Sequence, residues 1–316
     1  MTSSEFNQEC VKTLRRLRFE ERVAVVGSGL SYHLVKDINE LIDGMKRPCR
    51  VDKIDGEPNY SFFDRAYNNS PDEYYRVIKE AFGNTPPWDA RVYWHLTKMR
   101  FKSFVTINYD DQLPGAFHKT RRQPSDFLFK VYPEQRIYLP PDLFGEKQHL
   151  VAVHGYKNRD NPNWHKMLIL RGEDYRNHYS LKNGSQPPFL YLWWYWLLTT
   201  QPCVFIGTSL DEFGLAIVIR KIIESGNQSI NGLHIHLKPT EAKAPDYTET
   251  CQKSLGVIEP VLYDKIDEDH KGLRIVLSQF SGEPEDGPAP LPEEKDFDIE
   301  DSLNFLKSYG GKSSLK

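Results

Sequence analysis

The stretch Arg22 to Ser31, RVAVVGSGLS, constrains the fold of this chain more than any other. Val23 to Val26 is an unbroken apolar run, too short for a helix and rich in β-branching, which suits a strand covered on both faces in a parallel sheet. The run stops at Gly27. Gly29 follows two residues later, and with no Cβ at either position the backbone can turn sharply and come close to a bound phosphate. Ser28 and Ser31 add hydroxyls. Downstream, Leu34, Val35, Ile38, Leu41 and Ile42 recur at helical spacing, so the turn is expected to open onto a helix N-terminus with its partial positive charge. The third glycine of the full dinucleotide fingerprint is missing. Alone, the pattern reads equally as an anion seat or as a plain strand-to-helix turn.

Composition narrows the classes. A chain of 316 residues can hold one large α/β domain or two small ones, and a net charge of -3 without a long Lys/Arg stripe gives no reason to expect a nucleic-acid partner. The apolar run FLYLWWYWLL, residues 189–198, is too short to span a bilayer. The first residues mix Glu5 and Glu9 with Arg15, Arg16 and Arg18 instead of presenting an apolar signal core, so a cytoplasmic protein with no membrane partner is expected. Cys10, Cys49, Cys203 and Cys251 lie far apart with no C-x-x-C pair, which speaks for buried thiols over a zinc site.

Further along, other strand ends carry polar groups. Residues 1–21 read as an amphipathic helix through Val11, Leu14 and Leu17, and residues 44–100 as a helical insertion in which His95 sits on an apolar stripe as a core or boundary residue. In SFVTINYDD, residues 103–111, a short buried strand delivers Asn108, Tyr109 and Asp110 to its carboxyl end, where open parallel sheets present ligand-binding groups. A simple Asn/Asp turn is the plainer alternative. Strand-like pieces follow at 127–131 and 136–139. HLVAV, residues 149–153, ends in His154 and Gly155, a histidine suited to general-base work beside a glycine that lets a substrate approach.

Met167 to Leu170 reads as another strand, RGEDY at 171–175 as a helix start, and 189–198 as a buried helix. Cys203 to Ile206 is a strand ending in GTSLDEFGLA, a second candidate phosphate or ribose seat. Leu233, Ile235 and Leu237 continue the sheet, with His234 and His236 expected to face solvent or a sheet edge and not to bind a metal. Val257 to Tyr263 makes a last strand and Leu273 to Phe280 a closing helix. The expected division is a folded domain over 1–280 and an acidic, Pro/Gly-rich linker and tail over 281–316, within which residues 299–306 could dock on a partner as a short helix.

With GSGLS (27–31), TINYD (106–110), HG (154–155) and GTSL (207–210) in this order, the chain resembles the sirtuin (Sir2) superfamily over about residues 22–280. The resemblance implies an α/β fold, a Rossmann-like doubly wound parallel sheet with a helical insertion, and NAD as substrate. It implies that Gly27, Ser28, Gly29 and Ser31 hold the NAD pyrophosphate, with Thr106 among the cofactor contacts. Asn108 would order the nicotinamide ribose or a water, Asp110 would bind the nicotinamide amide, and His154 would act on the ribose hydroxyls. Gly207, Thr208 and Ser209 would meet the adenosine half.

Two departures matter. Sirtuin deacylases carry a four-cysteine zinc module after the HG element, whereas no cysteine lies between Gly155 and Pro202, so no zinc is expected. Their G-I-P-D-F-R segment is replaced by SYHLVKDINELIDG, residues 31–44. In this form the chain is similar to the zinc-less Sir2-like branch of bacterial antiphage systems. That likeness implies an NAD+ glycohydrolase releasing nicotinamide and ADP-ribose, restrained until it forms a homo-oligomer or meets a partner such as a defence-system ATPase. An NAD-dependent protein deacylase and a non-catalytic NAD or ADP-ribose sensor are the alternatives.

Overall fold

Seven short runs become seven strands of one sheet: β1 (Val23–Val26), β2 (Ser103–Thr106), β3 (Phe127–Val131), β4 (Gln148–Ala152), β5 (Cys203–Ile206), β6 (His234–Pro239) and β7 (Ile258–Tyr263). The computed structural model describes residues 3–31, 38–83, 91–120, 127–133, 148–157, 161–180, 186–208, 210, 212–225, 234–239, 258–267 and 270–284. The spatial order is β3-β4-β2-β1-β5-β6-β7 and every pairing is parallel. Val26 lies opposite both Thr106 and Ile206, and Thr106 lies opposite Ala152. This register aligns the carboxyl ends of β1, β2, β4 and β5, so the four motifs read from the sequence emerge at one edge.

The helices are α1 (Ser3–Leu14), α2 (Ile38–Cys49), α3 (Asn59–Asn69), α4 (Pro71–Gly83), α5 (Arg91–Lys98), α6 (Gln112–Thr120), α7 (Gly172–Tyr179), α8 (Phe189–Thr200), α9 (Phe213–Glu224) and α10 (Lys271–Ser281). Strand residues alternate between two apolar layers. Ala24, Val26, Phe104 and Ile206 pack with α1, α5, α6 and α10, whereas Val23, Val25, Val105 and Phe205 pack with α7, α8 and α9. Burial on both faces is why the strands are continuous apolar runs and not alternating ones. A third cluster joins α2, α3 and α4 to Trp164, Leu168 and Leu170, and it reaches the sheet edge through Tyr109, whose ring lies 5.6 Å from that of Phe82.

The link from β1 to β2 returns through α5 on one face, while β5 is followed by α9 on the other. Neighbouring strands whose connections leave on opposite faces open a crevice at their carboxyl ends, the usual ligand position of doubly wound sheets. In this sheet the switch in strand order lies between β1 and β5.

These two turns interlock. The Gly29 amide donates to the Gly207 carbonyl at 2.8 Å and the Gly27 amide to the Ile206 carbonyl at 2.9 Å. A Cβ on Gly27 would stand 2.5 Å from the Gly207 oxygen, and one on Gly207, whose φ is +65°, would stand 2.6 Å from Leu30 Cγ. The glycines are therefore required by loop-on-loop packing. Gly207→Ala is expected to destabilise the fold by about 1–3 kcal/mol through a strained φ and displacement of Leu30. Denaturant unfolding checks it, and an unchanged midpoint would mean the loops have room to part.

The first glycine is followed by a 3-10 turn, Ser28–Leu30, and the expected helix is described from Ile38 onward with Leu41 and Ile42 buried, while Leu34 and Val35 lie outside the described residues. Other sequence expectations need correction. Met167 to Leu170 is not a strand: its amides donate to three unrelated acceptors, Met167 to the Trp164 carbonyl, Ile169 to the His154 carbonyl and Leu170 to Asp174, and Leu168 and Leu170 pack under α2 to α4. His234 and His236 are buried, because β6 lies inside the sheet between β5 and β7. His234 Nδ1 accepts from the Cys203 amide and His236 Nε2 donates to the Thr208 carbonyl, and burial pulls both pKa values down to about 4. Residues 136–139, Cys251 and the segment beyond 284 lie outside the described residues. No described helix is long and apolar enough to cross a membrane.

Candidate active site

Two buried networks stand at the carboxyl edge, one on each side of the sheet. The first begins at Asn108, two residues past the end of β2. Its backbone amide donates to Thr106 Oγ1 at 3.1 Å, which turns the chain, and its side-chain Nδ2 donates to the Tyr93 hydroxyl of α5 at 3.2 Å. Tyr93 in turn donates to Ser31 Oγ at 3.2 Å, and Ser31 to Asp110 Oδ2 at 3.3 Å. The other carboxylate oxygen, Asp110 Oδ1, accepts from the Gln112 amide that opens α6.

All four side chains are buried. Burial raises the Asp110 pKa to about 6, opposed by the bonds from Gln112 and Ser31 and aided by neighbouring Asp111. Asp111 itself pairs with the buried Lys157 at 3.3 Å. Burial also lifts the Tyr93 phenol far above its ordinary range, so it stays protonated.

The second network surrounds His154, which occupies the position on β4 equivalent to Asn108 on β2. His154 Nε2 lies 2.6 Å from the Tyr179 hydroxyl of α7, which also accepts from Trp194 Nε1 at 3.0 Å. Glu212 approaches to 4.0 Å while its carboxylate caps α9 by accepting from the Gly214 and Leu215 amides. The imidazole meets the Tyr175 ring edge-on at 5.7 Å and stacks at 6.5 Å on Tyr109. Burial lowers the His154 pKa against the pull of Glu212, leaving a neutral ring able to take a proton. Asn108 and His154 thus sit on adjacent strand ends but bond to opposite helix layers, flanking the edge without sharing one hydrogen-bonded cluster.

The remaining expected residues fall around these networks. Ser28 is exposed on the first turn, whereas Ser31 is buried with its hydroxyl between Tyr93 and Asp110. Gly155, at φ +86°, faces the Met167 carbonyl and Leu168, so its missing Cβ serves chain packing and not substrate approach. Thr208 is buried beside Gly207, and Ser209 lies outside the described residues. Of the eight side-chain nitrogen and oxygen atoms that are buried with no hydrogen-bond partner among the described residues, two, Asn108 Oδ1 and Thr208 Oγ1, stand just past the ends of β2 and β5. Such atoms are able to pair with a ligand hydroxyl or a water.

Sequence reasoning missed Tyr93, Tyr175, Tyr179 and Glu212. The three tyrosines lie on helices and carry no motif. Glu212, directly ahead of the apolar run of α9, did carry a helix-cap signal.

The fold defines a doubly wound α/β protein whose polar strand ends gather at the carboxyl edge of the sheet. Residues 102–257 match the SIR2-like domain, a span that contains TINYD, HG and GTSL but not the first glycine turn, and this match supports the resemblance to the Sir2-like superfamily. A solved structure described as the structural basis for the mechanism and regulation of Sir2 enzymes is similar at 13% identity. The likeness covers 89% of this chain and 98% of that one, with a TM-score of 0.42. No curated protein matches the chain. No group of three or more His, Cys, Asp or Glu among the described residues is placed to hold a metal ion.

Proposed function

We propose that this protein is an NAD+ glycohydrolase. The observation that carries the reading is the buried Asn108 amide at the sheet edge, whose oxygen lacks a partner and whose nitrogen is tied through two hydroxyls to a buried carboxylate. In the reaction the bond from ribose C1′ to the nicotinamide nitrogen breaks, its electron pair neutralises the pyridinium, and water adds to the oxocarbenium-like C1′ with loss of a proton. Asn108 Oδ1 accepts from the attacking water or a ribose hydroxyl, and Asp110 accepts from the nicotinamide carboxamide. His154, neutral and fixed by Tyr179, takes the proton. Ser28, exposed on the first turn, and Thr208, with its unpartnered hydroxyl, meet the remainder of the dinucleotide. Ser31 holds Asp110 in place.

Hydrolysis is favoured over deacylation because the segment from Gly155 to Pro202, where deacylases carry their zinc module, has no cysteine. Uncontrolled loss of NAD is toxic, which supports an antiphage effector that acts only once assembled with copies of itself or with a partner protein. Incubating the purified chain with NAD over a range of protein concentrations, with and without an acyl-lysine peptide, is expected to release nicotinamide and ADP-ribose in both cases once the concentration is high enough for copies to assemble, and little when dilute. Release that depends on the peptide would establish the deacylase instead. NAD-dependent thermal stabilisation with no nicotinamide formed at any protein concentration would establish a sensor.

A further inference from the structure

We infer that Tyr93 is a positioning residue that fixes which way the Asn108 amide points. This rests on the reading above only in assigning Asn108 to the reaction. The hydrogen bonds from Asn108 to Asp110 have a forced direction. A carboxylate can only accept, so Ser31 gives its proton to Asp110 Oδ2 at 3.3 Å, a charge-assisted bond closer than the alternative Ser28 carbonyl at 3.5 Å. Ser31 Oγ then accepts the one proton of Tyr93, whose oxygen is left to accept from Asn108 Nδ2. The amide nitrogen is thereby held against α5 and Oδ1 becomes the group without a partner.

Without the Tyr93 hydroxyl the amide loses the donor–acceptor contact that tells its two ends apart, since nitrogen and oxygen are nearly alike in shape. A flipped amide presents a donor where the reaction needs an acceptor. Tyr93 lies on α5, within the apolar layer formed with Val92 and Leu96, and its hydroxyl bonds to Ser31 and Asn108. It acts through Asn108.

The test uses Tyr93→Phe, which keeps the ring, together with Ser31→Ala and the double variant, in the full chain. Two quantities are read: nicotinamide release from NAD, and solvent exchange of the Asn108 side-chain amide by 15N NMR, assigned by its loss in Asn108→Ala. Each single change is expected to lower kcat about 10-fold and to speed amide exchange about 10-fold, the loss of one buried hydrogen bond. KM for NAD stays within about 2-fold, as for a group acting only after binding. The double variant falls no further than the worse single, because both cut one chain of bonds.

Unchanged kcat and unchanged amide exchange in Tyr93→Phe would overturn the inference, as would effects of the two single changes that multiply. A wild-type protein that releases no nicotinamide defeats the proposed function, and the exchange measurement then decides the Tyr93 assignment alone.

Discussion

Asn108→Ala is expected to lower nicotinamide release about 10²- to 10³-fold, the usual consequence of removing a preorganised polar group that acts on the transition state. His154→Ala is expected to lower it about 10²-fold, as for loss of a general base. In both variants NAD should still raise the melting temperature, because the turns after β1 and β5 are untouched. Stability without NAD separates the two. Asn108→Ala removes an acceptor that has no partner, Oδ1, so the fold loses only the bond to Tyr93. His154→Ala empties a site enclosed by Tyr109, Tyr175 and Tyr179 and takes from the Tyr179 hydroxyl its bond to the imidazole, leaving the one from Trp194. It should therefore lower the melting temperature more. Near-wild-type release in both variants would remove these residues from the reaction and with them the glycohydrolase reading.

Much of the architecture was legible because the doubly buried strands leave so clear a trace. VAVV, SFVT and CVFI are all short apolar runs halted by a polar or glycine residue, and each is a central strand. The stretch MLIL looked the same and failed. Nothing in a short apolar run says whether a strand or a helical cluster will cover it, and Leu168 and Leu170 are covered by α2 to α4. The glycines were legible as close approaches, but not what approaches them. At Gly27 and Gly29 it is the backbone of Gly207, and at Gly155 it is Met167. Polar placement was clearest at strand ends, where Asn108, Asp110 and His154 follow directly on a strand. Tyr93 and Tyr179 come from helices in opposite layers, and only the folded chain brings them to Asn108 and His154.

Asp110→Asn is expected to make the protein more stable at pH 8 while removing most of its nicotinamide release. The wild-type carboxyl has its pKa raised from 3.8 to about 6, chiefly by burial. The folded state therefore holds this proton more tightly than the unfolded chain does. The stabilisation tied to protonation is complete below about pH 4, is lost as pH rises through about 6, and above that leaves a constant penalty of about 3 kcal/mol. An asparagine carries no such penalty: its oxygen still accepts from the Gln112 amide, while its nitrogen faces Ser31 Oγ. At pH 8 the variant should gain up to about 3 kcal/mol, or several degrees in melting temperature, and the gain should vanish near pH 4. The reaction loses the acceptor that grips the carboxamide and the anchor that orders Ser31 and Tyr93, a loss of about 10²-fold. Melting wild type and variant side by side at pH 5 and pH 8 cancels every other titrating group. A difference that does not grow with pH would show that Asp110 is not the desolvated charge this site is built around, whereas growth together with lost activity identifies a carboxylate kept at the expense of stability.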